Sequence, residues 1–382
     1  MWISFDFFRK ERICYDKSVC SPLDYIYNLG YNGINRVDKL LDKSKFEGAV
    51  RVEKGVIIMP MLKKGGTIGI FSPSYPITAD SPGAAIRAEE FFNSKGYKIK
   101  KGSLWGKSSF YRSGSAKDRA TEFNELLYNP EVDCLMASIG GFVSNAMLPY
   151  IDYDYFAANP KPVVGMSDTT SLLMGLYAKT GITVYYGTNF ATSYSRLSPY
   201  SDIAFQCFCD VINSTENYTY TIPHFYSDEV IDWDKPIMSE KQIPNKLLTL
   251  IGGKSTGRLI GGNLNTLTSV WGSPYMPEIQ EGDILFLENT EEGADYTERY
   301  ITWLKLCGVF ERLGGLIIGK HRQFDDYGTK MKSYEILLDI IDKANFPILA
   351  EFDCGHCVPM LTLPIGMKVE LDSDAQTLKI IH

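Results

Sequence analysis

The sequence predicts an α/β protein with two domains, the first built on a parallel sheet covered by helices and the second richer in strands. Its 382 residues exceed what one hydrophobic core usually organises, so two domains are expected. From Lys63 onward, short apolar strands alternate with segments of helical spacing, which is typical of a parallel sheet with helices on its faces. Beyond residue 245, six strand candidates follow one another with fewer helices between them.

Strand and helix units make up the first domain. Strands are predicted at 67–71, 133–139, 162–165 and 184–186, and helices at 84–92, 116–127, 144–148 and 169–179. Parallel sheets bind ligands at the carboxyl ends of their strands. Such ends carry Ser72-Pro73-Ser74, Gly140-Gly141 and Ser167. These segments are therefore expected to meet at one edge of the sheet.

Composition and periodicity divide the chain into four segments. Residues 1–58 are an extension without a sustained period, residues 59–195 form the α/β domain, and residues 196–245 are a connecting region rich in Ser, Pro, Tyr and Asp. Residues 246–382 form the β-rich domain. Its strands are predicted at 257–262, 283–288, 315–319, 347–352, 367–371 and 377–381.

The extension is also interpreted as upstream sequence that is read in frame. Glu53-Lys54-Gly55-Val56 can be encoded by a purine-rich ribosome-binding sequence, and this segment lies just before Met59. On this interpretation Met59 or Met61 is the natural start of the protein.

Composition and charge exclude several classes of partner. The formal net charge is −7 and no long Lys/Arg block is present, so a nucleic acid polymer is not expected to bind. No apolar stretch approaches the roughly 20 residues of a membrane helix, and the charged N-terminus lacks the apolar centre of a signal peptide. Eight cysteines spread over this length fit free thiols rather than a disulfide framework. These features predict a cytoplasmic protein without a membrane partner.

Ser167 is the first candidate for chemistry, because Gly165-Met166-Ser167-Asp168 lies between an apolar strand and a helix. In this context a sharp turn exposes a hydroxyl at the helix N-terminus, where free backbone N–H groups stabilise a developing oxyanion. The alternative is that Ser167, Asp168 or Thr169 caps the helix, since these residue types are favoured there. The motif has only half of the Gly-x-Ser-x-Gly pattern, so on its own it favours the cap.

A serine nucleophile needs a base, for which histidine is the usual residue. Of the four histidines, His356 follows a predicted buried strand and is preceded by Gly355, which allows a substrate to approach closely. His224 lies in the connecting region, His321 lies among polar residues and His382 is the last residue. His356 is therefore the preferred base, and a purely structural histidine is the alternative.

The base in turn needs a carboxylate that fixes its tautomer. Glu288 closes a predicted apolar strand and Asp353 lies three residues before His356, so both are candidates, and either can be an ordinary surface carboxylate. Gly140-Gly141 follows a buried strand and permits a tight turn whose N–H groups point into the site. Glycine pairs at strand ends are also common as plain turns.

Cys354 and Cys357 form a C-x-x-C pair around His356, which raises the alternative of a metal or redox site. Against zinc, the sequence has no second C-x-x-C and no histidine pair of matching spacing. Against a thioredoxin-like centre, the segment from Pro359 onward does not resemble the helix that such cysteines cap. A thiol or zinc site is the weaker interpretation.

Six short motifs follow one another in a specific order. They are Phe71-Ser72-Pro73-Ser74, Ile139-Gly140-Gly141-Phe142, Gly165-Met166-Ser167-Asp168-Thr169-Thr170, Leu259-Ile260-Gly261-Gly262-Asn263-Leu264, Leu285-Phe286-Leu287-Glu288 and Gly355-His356. Together they resemble the serine LD-carboxypeptidase family, and within it the branch of the microcin C self-immunity peptidases. The resemblance covers roughly residues 59–382 and rests on the ordered set, since each motif alone is weak.

The resemblance implies a fold and a catalytic triad. The expected fold is a doubly wound, mostly parallel N-terminal sheet of the Rossmann or flavodoxin type, followed by a β-rich, barrel-like C-terminal domain. In the triad, Ser167 is the nucleophile, His356 is the general base and then acid, and Glu288 orients His356. The order Ser, Glu, His along the chain matches the family and selects Glu288 over Asp353.

Further implications concern the oxyanion hole, the substrate and the assembly. The oxyanion hole consists of the backbone N–H groups of Gly141 and Asp168, and substrate contacts are expected from Ser74, Gly140 and Asn263. No metal or organic cofactor is implied, and members of the family are typically homodimers.

The implied activity is hydrolysis of an amide bond through an acyl-enzyme. Members of the immunity branch cleave the amide that joins a peptidyl or aminoacyl group to a nucleotide, whereas murein-recycling members release D-Ala from a tetrapeptide. A non-catalytic protein that binds a peptide or nucleotide conjugate is the alternative from another class. The immunity branch stacks an aromatic residue on the nucleobase, and for this the segment from Phe190 to the end of the connecting region offers Phe190, Tyr194 and Tyr200, with no tryptophan in that segment before Trp233.

Overall fold

The computed structural model describes residues 51–53, 56–58 and 61–382. Apart from two short strands, the interpretation of residues 1–58 as an extension or as upstream sequence lies outside the described residues. Within the described part of the chain, no helix is both long and apolar enough to cross a bilayer.

The described residues form eighteen strands, which are numbered in chain order. They are β1 Arg51–Glu53, β2 Val56–Ile58, β3 Thr67–Phe71, β4 Lys98–Lys101, β5 Cys134–Ala137, β6 Val163–Gly165, β7 Val184–Tyr186, β8 Tyr218–Thr219, β9 Phe225–Tyr226, β10 Ile243–Pro244, β11 Leu248–Ile251, β12 Lys254–Asn263, β13 Asp283–Glu288, β14 Leu313–Gly319, β15 Ile348–Phe352, β16 Leu363–Ile365, β17 Lys368–Asp372 and β18 Thr377–Ile380. β1 with β2, and β9 with β10, form two small antiparallel pairs.

In the part of the chain that the structure describes, ten α-helices and two short 3-10 segments connect the strands. The helices are α1 Ile77–Asp80, α2 Pro82–Ser94, α3 Ala116–Tyr128, α4 Tyr153–Ala158, α5 Thr170–Thr180, α6 Phe190–Tyr194, α7 Tyr200–Ile212, α8 Leu264–Thr268, α9 Ala294–Leu306 and α10 Ser333–Ile341, and the 3-10 segments are Ser144–Tyr150 and Ser167–Thr169. The predicted helix at 144–148 is thus a 3-10 segment.

The first sheet has six strands in the order β16-β7-β6-β5-β3-β4. All are parallel except β16, which pairs with β7 in the antiparallel sense. Counted along the chain within this sheet, the first five strands have the order 2-1-3-4-5, which is the flavodoxin-like doubly wound arrangement. The order reverses between β3 and β5, so the loops after these two strands border the crevice in which such folds bind ligands.

The second sheet has eight strands in the order β11-β15-β14-β13-β12-β17-β18-β8. β12 to β15 are parallel, and the remaining strands pair in the antiparallel sense. Every residue of β13 is buried, as expected for a parallel strand covered on both faces. The predicted mixed α/β fold and the second sheet in the C-terminal region are both confirmed.

Two short strands cross between the halves of the chain. β8 comes from the predicted connecting region but lies at the edge of the second sheet, whereas β16 comes from the C-terminal half but completes the first sheet. The connecting region was expected to be irregular, but it also contains helix α7. Its buried residues Tyr200, Ala204, Cys207, Phe208 and Val211 have the spacing of one helix face, a signal that the polar residues between them obscured.

Candidate active site

Ser167 lies two residues after the end of β6, where the chain turns sharply into α5. Its φ of +60° is in the left-handed region, which residues other than glycine rarely adopt. The backbone N–H of Ser167 donates to the Tyr186 hydroxyl (3.0 Å), and that of Met166 donates to Asn189 Oδ1 (3.1 Å). No side chain forms a capping hydrogen bond at the start of the 3-10 segment or of α5. The turn therefore fits the exposed-hydroxyl interpretation better than the helix cap.

A buried carboxylate and an imidazole form the second part of the site. Glu288 ends β13 with 2% of its surface exposed, and its Oε2 lies 2.7 Å from His356 Nδ1. Its Oε1 accepts hydrogen bonds from the Tyr186 hydroxyl (2.6 Å) and from Asn263 Nδ2 (2.9 Å). Burial alone would raise the pKa of Glu288, but the neighbouring His356 and these hydrogen bonds outweigh burial and hold the pKa below its ordinary value.

Tyr186 joins the two parts of the site and was not predicted. Its hydroxyl donates to Glu288 and accepts the backbone N–H of Ser167, so one side chain links the serine turn to the carboxylate. Tyr186 is the last residue of β7, the strand next to β6 in the sheet. The same carboxyl-end argument that selected Ser167 could therefore have selected Tyr186.

The predicted glycine pair packs against the serine turn. A Cβ atom on Gly140 would lie 2.9 Å from Ser167 Cβ and 3.1 Å from Asp168 N. Gly141 has a φ of +143°, and a Cβ atom there would meet the hydroxyl of Ser74. Neither position accommodates a side chain without displacement, so the glycine turn packs closely against Ser167 and the backbone nitrogen of Asp168.

Asp168 and Ser74 hold this arrangement from inside the protein. The Asp168 carboxylate is buried and its Oδ2 accepts the Ser144 N–H at 2.8 Å. Burial raises the pKa of Asp168, and its hydrogen bonds oppose that rise in part. Ser74 is fully buried, and its hydroxyl accepts the N–H groups of Phe142 (3.0 Å) and Val143 (3.1 Å). The predicted substrate contact of Ser74 stays a prediction, since this hydroxyl already supports the glycine turn.

Asn263 supports Glu288 from the second sheet. Its Oδ1 accepts hydrogen bonds from the backbone N–H (3.0 Å) and the hydroxyl (2.9 Å) of Thr266 at the start of α8, while its Nδ2 donates to Glu288. The side chain is 4% exposed. The geometry thus gives Asn263 a positioning contact, and its predicted substrate contact is untested.

Two buried charges on α3 brace the loops beside the serine turn. Arg119 donates to the carbonyl groups of Pro73 and Val143, which belong to the loops after β3 and β5. Glu122 accepts the N–H groups of Ser72 (2.6 Å) and Leu104 (2.7 Å). Burial raises the pKa of Glu122 to about 7, although both hydrogen bonds oppose this rise.

Replacing Glu122 with Gln should remove a pH-dependent part of the stability. Because the folded-state pKa is raised, the unfolded chain releases this proton first, and stability falls as pH rises from about 4.5 to about 7. The full loss corresponds to about 3 kcal/mol. Urea unfolding at pH 5 and pH 8 measures this loss. Between these two pH values the free energy of unfolding of the wild type should fall by most of this amount, whereas that of Glu122→Gln should not show this fall. The exposed Glu125→Gln on the same helix is the control, and equal pH slopes in wild type and Glu122→Gln would contradict the prediction.

Ser167 and His356 line one cleft of about 220 Å³, together with Gly140, Phe142 and Trp233. The aromatic candidates Phe190, Tyr194 and Tyr200 are each 2% exposed or less and belong to the core. Trp233 is half-buried and faces the cleft. The aromatic residues available to a ligand on this cleft are therefore Phe142, which is exposed, and Trp233 of the connecting region.

Charged residues also line the cleft. Arg196 forms a buried ion pair with Glu240 (2.9 Å), and its guanidinium lies 5.1 Å from the centre of the Trp233 ring. Arg322 and Glu291 lie on the same cleft and contact each other at 3.5 Å. None of these residues was predicted, because nothing in their sequence neighbourhoods distinguishes them from ordinary surface charges.

The competing candidates have other partners. Asp353 is buried in an ion pair with Lys320 (2.7 Å) and accepts a hydrogen bond from Asn245 (2.8 Å), so it does not orient His356. Cys354 is fully buried, and burial raises the pKa of its thiol well above the ordinary value. Burial likewise raises the pKa of Cys357 to about 12, which disfavours a reactive thiolate. Among the described residues no group of three or more His, Cys, Asp or Glu side chains could hold a metal ion.

Fold and site together define an α/β protein of the hydrolase class, in which a serine on a strand–helix turn shares a cleft with a buried glutamate–histidine pair. Family models assign the chain further. Residues 68–187 match the LD-carboxypeptidase N-terminal domain, and residues 256–371 match the LD-carboxypeptidase C-terminal domain. The chain belongs to the LD-carboxypeptidase family, as the ordered motifs indicated.

Individual relatives give the same assignment. The microcin C7 self-immunity protein MccF of Escherichia coli is 44% identical over 333 residues, which cover 86% of this chain and 97% of the relative. A probable murein peptide carboxypeptidase of Bacillus subtilis is 28% identical over 318 residues, which cover 83% of this chain and 92% of the relative. The solved structure of MccF in complex with aspartyl sulfamoyl adenosine has 44% identity and a TM-score of 0.83, and the match covers 86% of this chain and 99% of that one.

Proposed function

We propose that this chain is a serine carboxypeptidase that hydrolyses the amide bond of a peptidyl or aminoacyl nucleotide conjugate through an acyl-enzyme on Ser167. The observation that carries the proposal is the 2.7 Å contact between Glu288 and His356 in the cleft that also contains Ser167. A hydroxyl, an imidazole and a carboxylate are the three groups that such chemistry requires.

In the first half of the reaction, His356 Nε2 takes the proton of Ser167 Oγ as Oγ attacks the carbonyl carbon. The resulting oxyanion accepts hydrogen bonds from the backbone N–H groups of Gly141 and Asp168. The carbon–nitrogen bond then breaks, and the leaving nitrogen takes the proton from His356. The product of this half is an ester on Ser167, while Glu288 stabilises the imidazolium that forms in between.

In the second half, a water molecule loses a proton to His356 and attacks the ester carbon. The bond to Ser167 Oγ breaks, and Oγ regains the proton from His356. The acyl group leaves as a carboxylic acid, so one water molecule is consumed for each amide bond cleaved. Neither half requires a metal or an organic cofactor.

A fluorophosphonate probe tests the serine chemistry directly. Mass spectrometry of the labelled protein should find the adduct on the peptide that contains Ser167, and Ser167→Ala should remain unlabelled. A protein that only sequesters its ligand has no activated serine, so an unlabelled wild type would favour the non-catalytic alternative.

The nucleotide part of the proposal is supported by Trp233 and by the MccF relatives. Solved MccF structures contain aspartyl sulfamoyl adenosine or glutamyl sulfamoyl guanosine. Trp233 offers an aromatic face on the cleft, and its backbone carbonyl accepts a hydrogen bond from Arg87 (2.7 Å). Stacking on a nucleobase is the contact that this position can supply.

Replacing Trp233 with Ala should raise KM for aspartyl sulfamoyl adenosine by roughly 5- to 100-fold, because one base stack is lost. Steady-state kinetics measures this effect, with Trp233→Phe as a control that keeps an aromatic face. KM for a murein tetrapeptide should stay unchanged, since that substrate has no base. Equal effects on both substrates would contradict the stacking role of Trp233.

The murein tetrapeptide is the second candidate substrate, and the Bacillus subtilis relative favours it by name. A wild-type enzyme that releases D-Ala from the tetrapeptide faster than it cleaves the nucleotide conjugate would select cell-wall recycling. Homodimer formation also remains a proposal, which sedimentation equilibrium of the full chain would test.

A further inference from the structure

Glu291 is a carboxylate on the active-site cleft that the proposed mechanism does not use. It lies three residues after Glu288, on the loop that leaves β13, and its side chain is 59% exposed. Among the described residues that line the cleft, it is the one with a carboxylate. Its neighbour Glu292 is different, because the side-chain amides of Asn265 and Asn289 occupy both of its oxygens.

The position of Glu291 is fixed by Arg322. The backbone N–H of Glu291 donates to the Arg322 carbonyl (2.9 Å), and Thr290 forms a β-bridge with Arg322. Glu291 has a φ of +61°, a left-handed conformation that is unusual for glutamate and that persists only where the surroundings enforce it. The loop thus holds this side chain on the cleft in spite of the unfavourable backbone conformation.

The Glu291 carboxylate keeps most of its capacity to accept hydrogen bonds. Its Oε1 lies 3.5 Å from Arg322 Nη1, which is at the limit of a hydrogen bond, and Arg322 Nε is used by the Asp228 carbonyl (3.2 Å). The other cleft guanidinium, Arg196, is paired with Glu240. A cation that enters the cleft therefore finds an acceptor in Glu291, whereas an anion meets a negative charge there.

We propose that Glu291 selects substrates with an alkylammonium group on the acyl side of the scissile amide, an inference that rests on the proposed hydrolysis of aminoacyl nucleotide conjugates. In these conjugates the nucleotide carries no basic amine, so the positive charge belongs to the acyl group. Its source is either the free α-ammonium group of the residue or a basic side chain. Both present the same N–H donors to the carboxylate.

Four sulfamoyl adenosine conjugates separate these sources: aspartyl, N-acetyl-aspartyl, lysyl and Nα-acetyl-lysyl. The wild type should prefer aspartyl over N-acetyl-aspartyl roughly tenfold in kcat/KM, because the pair is charge-assisted but partly exposed. Glu291→Gln should reduce this ratio to about one by raising KM for the ammonium-bearing substrate alone. A preference that depends on the side chain instead appears as faster cleavage of Nα-acetyl-lysyl than of N-acetyl-aspartyl conjugates.

The control is Glu278→Gln. Glu278 is also an exposed glutamate that contacts an arginine, since its Oε1 lies 3.9 Å from Arg312 Nη1, but it lies away from the active-site cleft. This variant should keep wild-type ratios. Glu291→Lys should reverse the preference toward acetylated substrates, an outcome that a purely structural role does not produce. If the wild type cleaves these conjugates and Glu291→Gln keeps the wild-type ratios, the role of Glu291 is overturned. If the wild type cleaves none of them, the proposed function fails as well.

Discussion

Replacing Ser167 with Ala should lower kcat by roughly 10⁴- to 10⁶-fold while the protein stays folded. The alanine side chain cannot form the ester, so only the oxyanion N–H groups and substrate binding remain to accelerate hydrolysis. The backbone strain at φ +60° is present in both proteins, and no capping hydrogen bond is lost, so the free energy of unfolding should change little.

Single-turnover kinetics and urea unfolding measure these two quantities. Ser171→Ala is a matched control four residues further along, because the hydrogen bond of that hydroxyl within the described part of the chain is to Ser269 (3.3 Å), outside the active-site cleft. It should retain nearly full turnover. Full activity in Ser167→Ala would contradict the proposed mechanism, and loss of folding in that variant would contradict the assignment of the strained turn to function.

Replacing Glu288 with Gln should lower kcat by about 10⁴-fold. Three donors converge on this carboxylate, from His356, Tyr186 and Asn263, and a carboxamide offers only one acceptor oxygen to them. The imidazole is then expected to adopt the wrong tautomer and to lose the charge that stabilises its protonated form. A buried donor left unpaired should also reduce stability by about 1–3 kcal/mol.

The variant Asp353→Asn tests which of two carboxylates, Glu288 or Asp353, orients His356, since the residue pattern alone allows both. Asp353 pairs with Lys320, so its replacement should destabilise the protein by about 3–5 kcal/mol because a buried ammonium loses its partner. Turnover per folded molecule should be retained. The reverse result, an active Glu288→Gln and an inactive but folded Asp353→Asn, would exchange the roles of the two residues.

The sequence was most informative where periodicity and chain order coincide. The strands around Ser167 and Glu288 are short apolar runs, and all residues of β6 and β13 are buried, so their positions and ends could be predicted. Glu288 was preferred over Asp353 on family order alone. The physical reason for this choice lies in the three-dimensional structure, where Lys320 and Asn245 both bind the carboxylate of Asp353.

Contacts between distant segments escaped prediction. Tyr186 joins the Ser167 turn to Glu288, which lies 102 residues further along the chain than Tyr186, and a tyrosine at a strand end gives no signal of its partner. Phe190, Tyr194 and Tyr200 were the aromatic candidates and Trp233 was noted only as the first tryptophan after them, yet the connecting region returns to the cleft through the buried pair of Arg196 and Glu240. The pattern of one segment cannot reveal such returns, since they depend on which loops meet after the sheets have formed.

The exchange of β8 and β16 between the sheets makes the protein indivisible. A cut near residue 245 would remove β16 from the edge of β7 and would leave β8 without its partner β18. Each half would then expose unpaired backbone groups at the edge of a strand, a condition that invites aggregation. One half carries the serine, and the other carries the glutamate and the histidine. Because each half needs a strand from the other, recombination between homologues is not expected to exchange the two halves as independent modules.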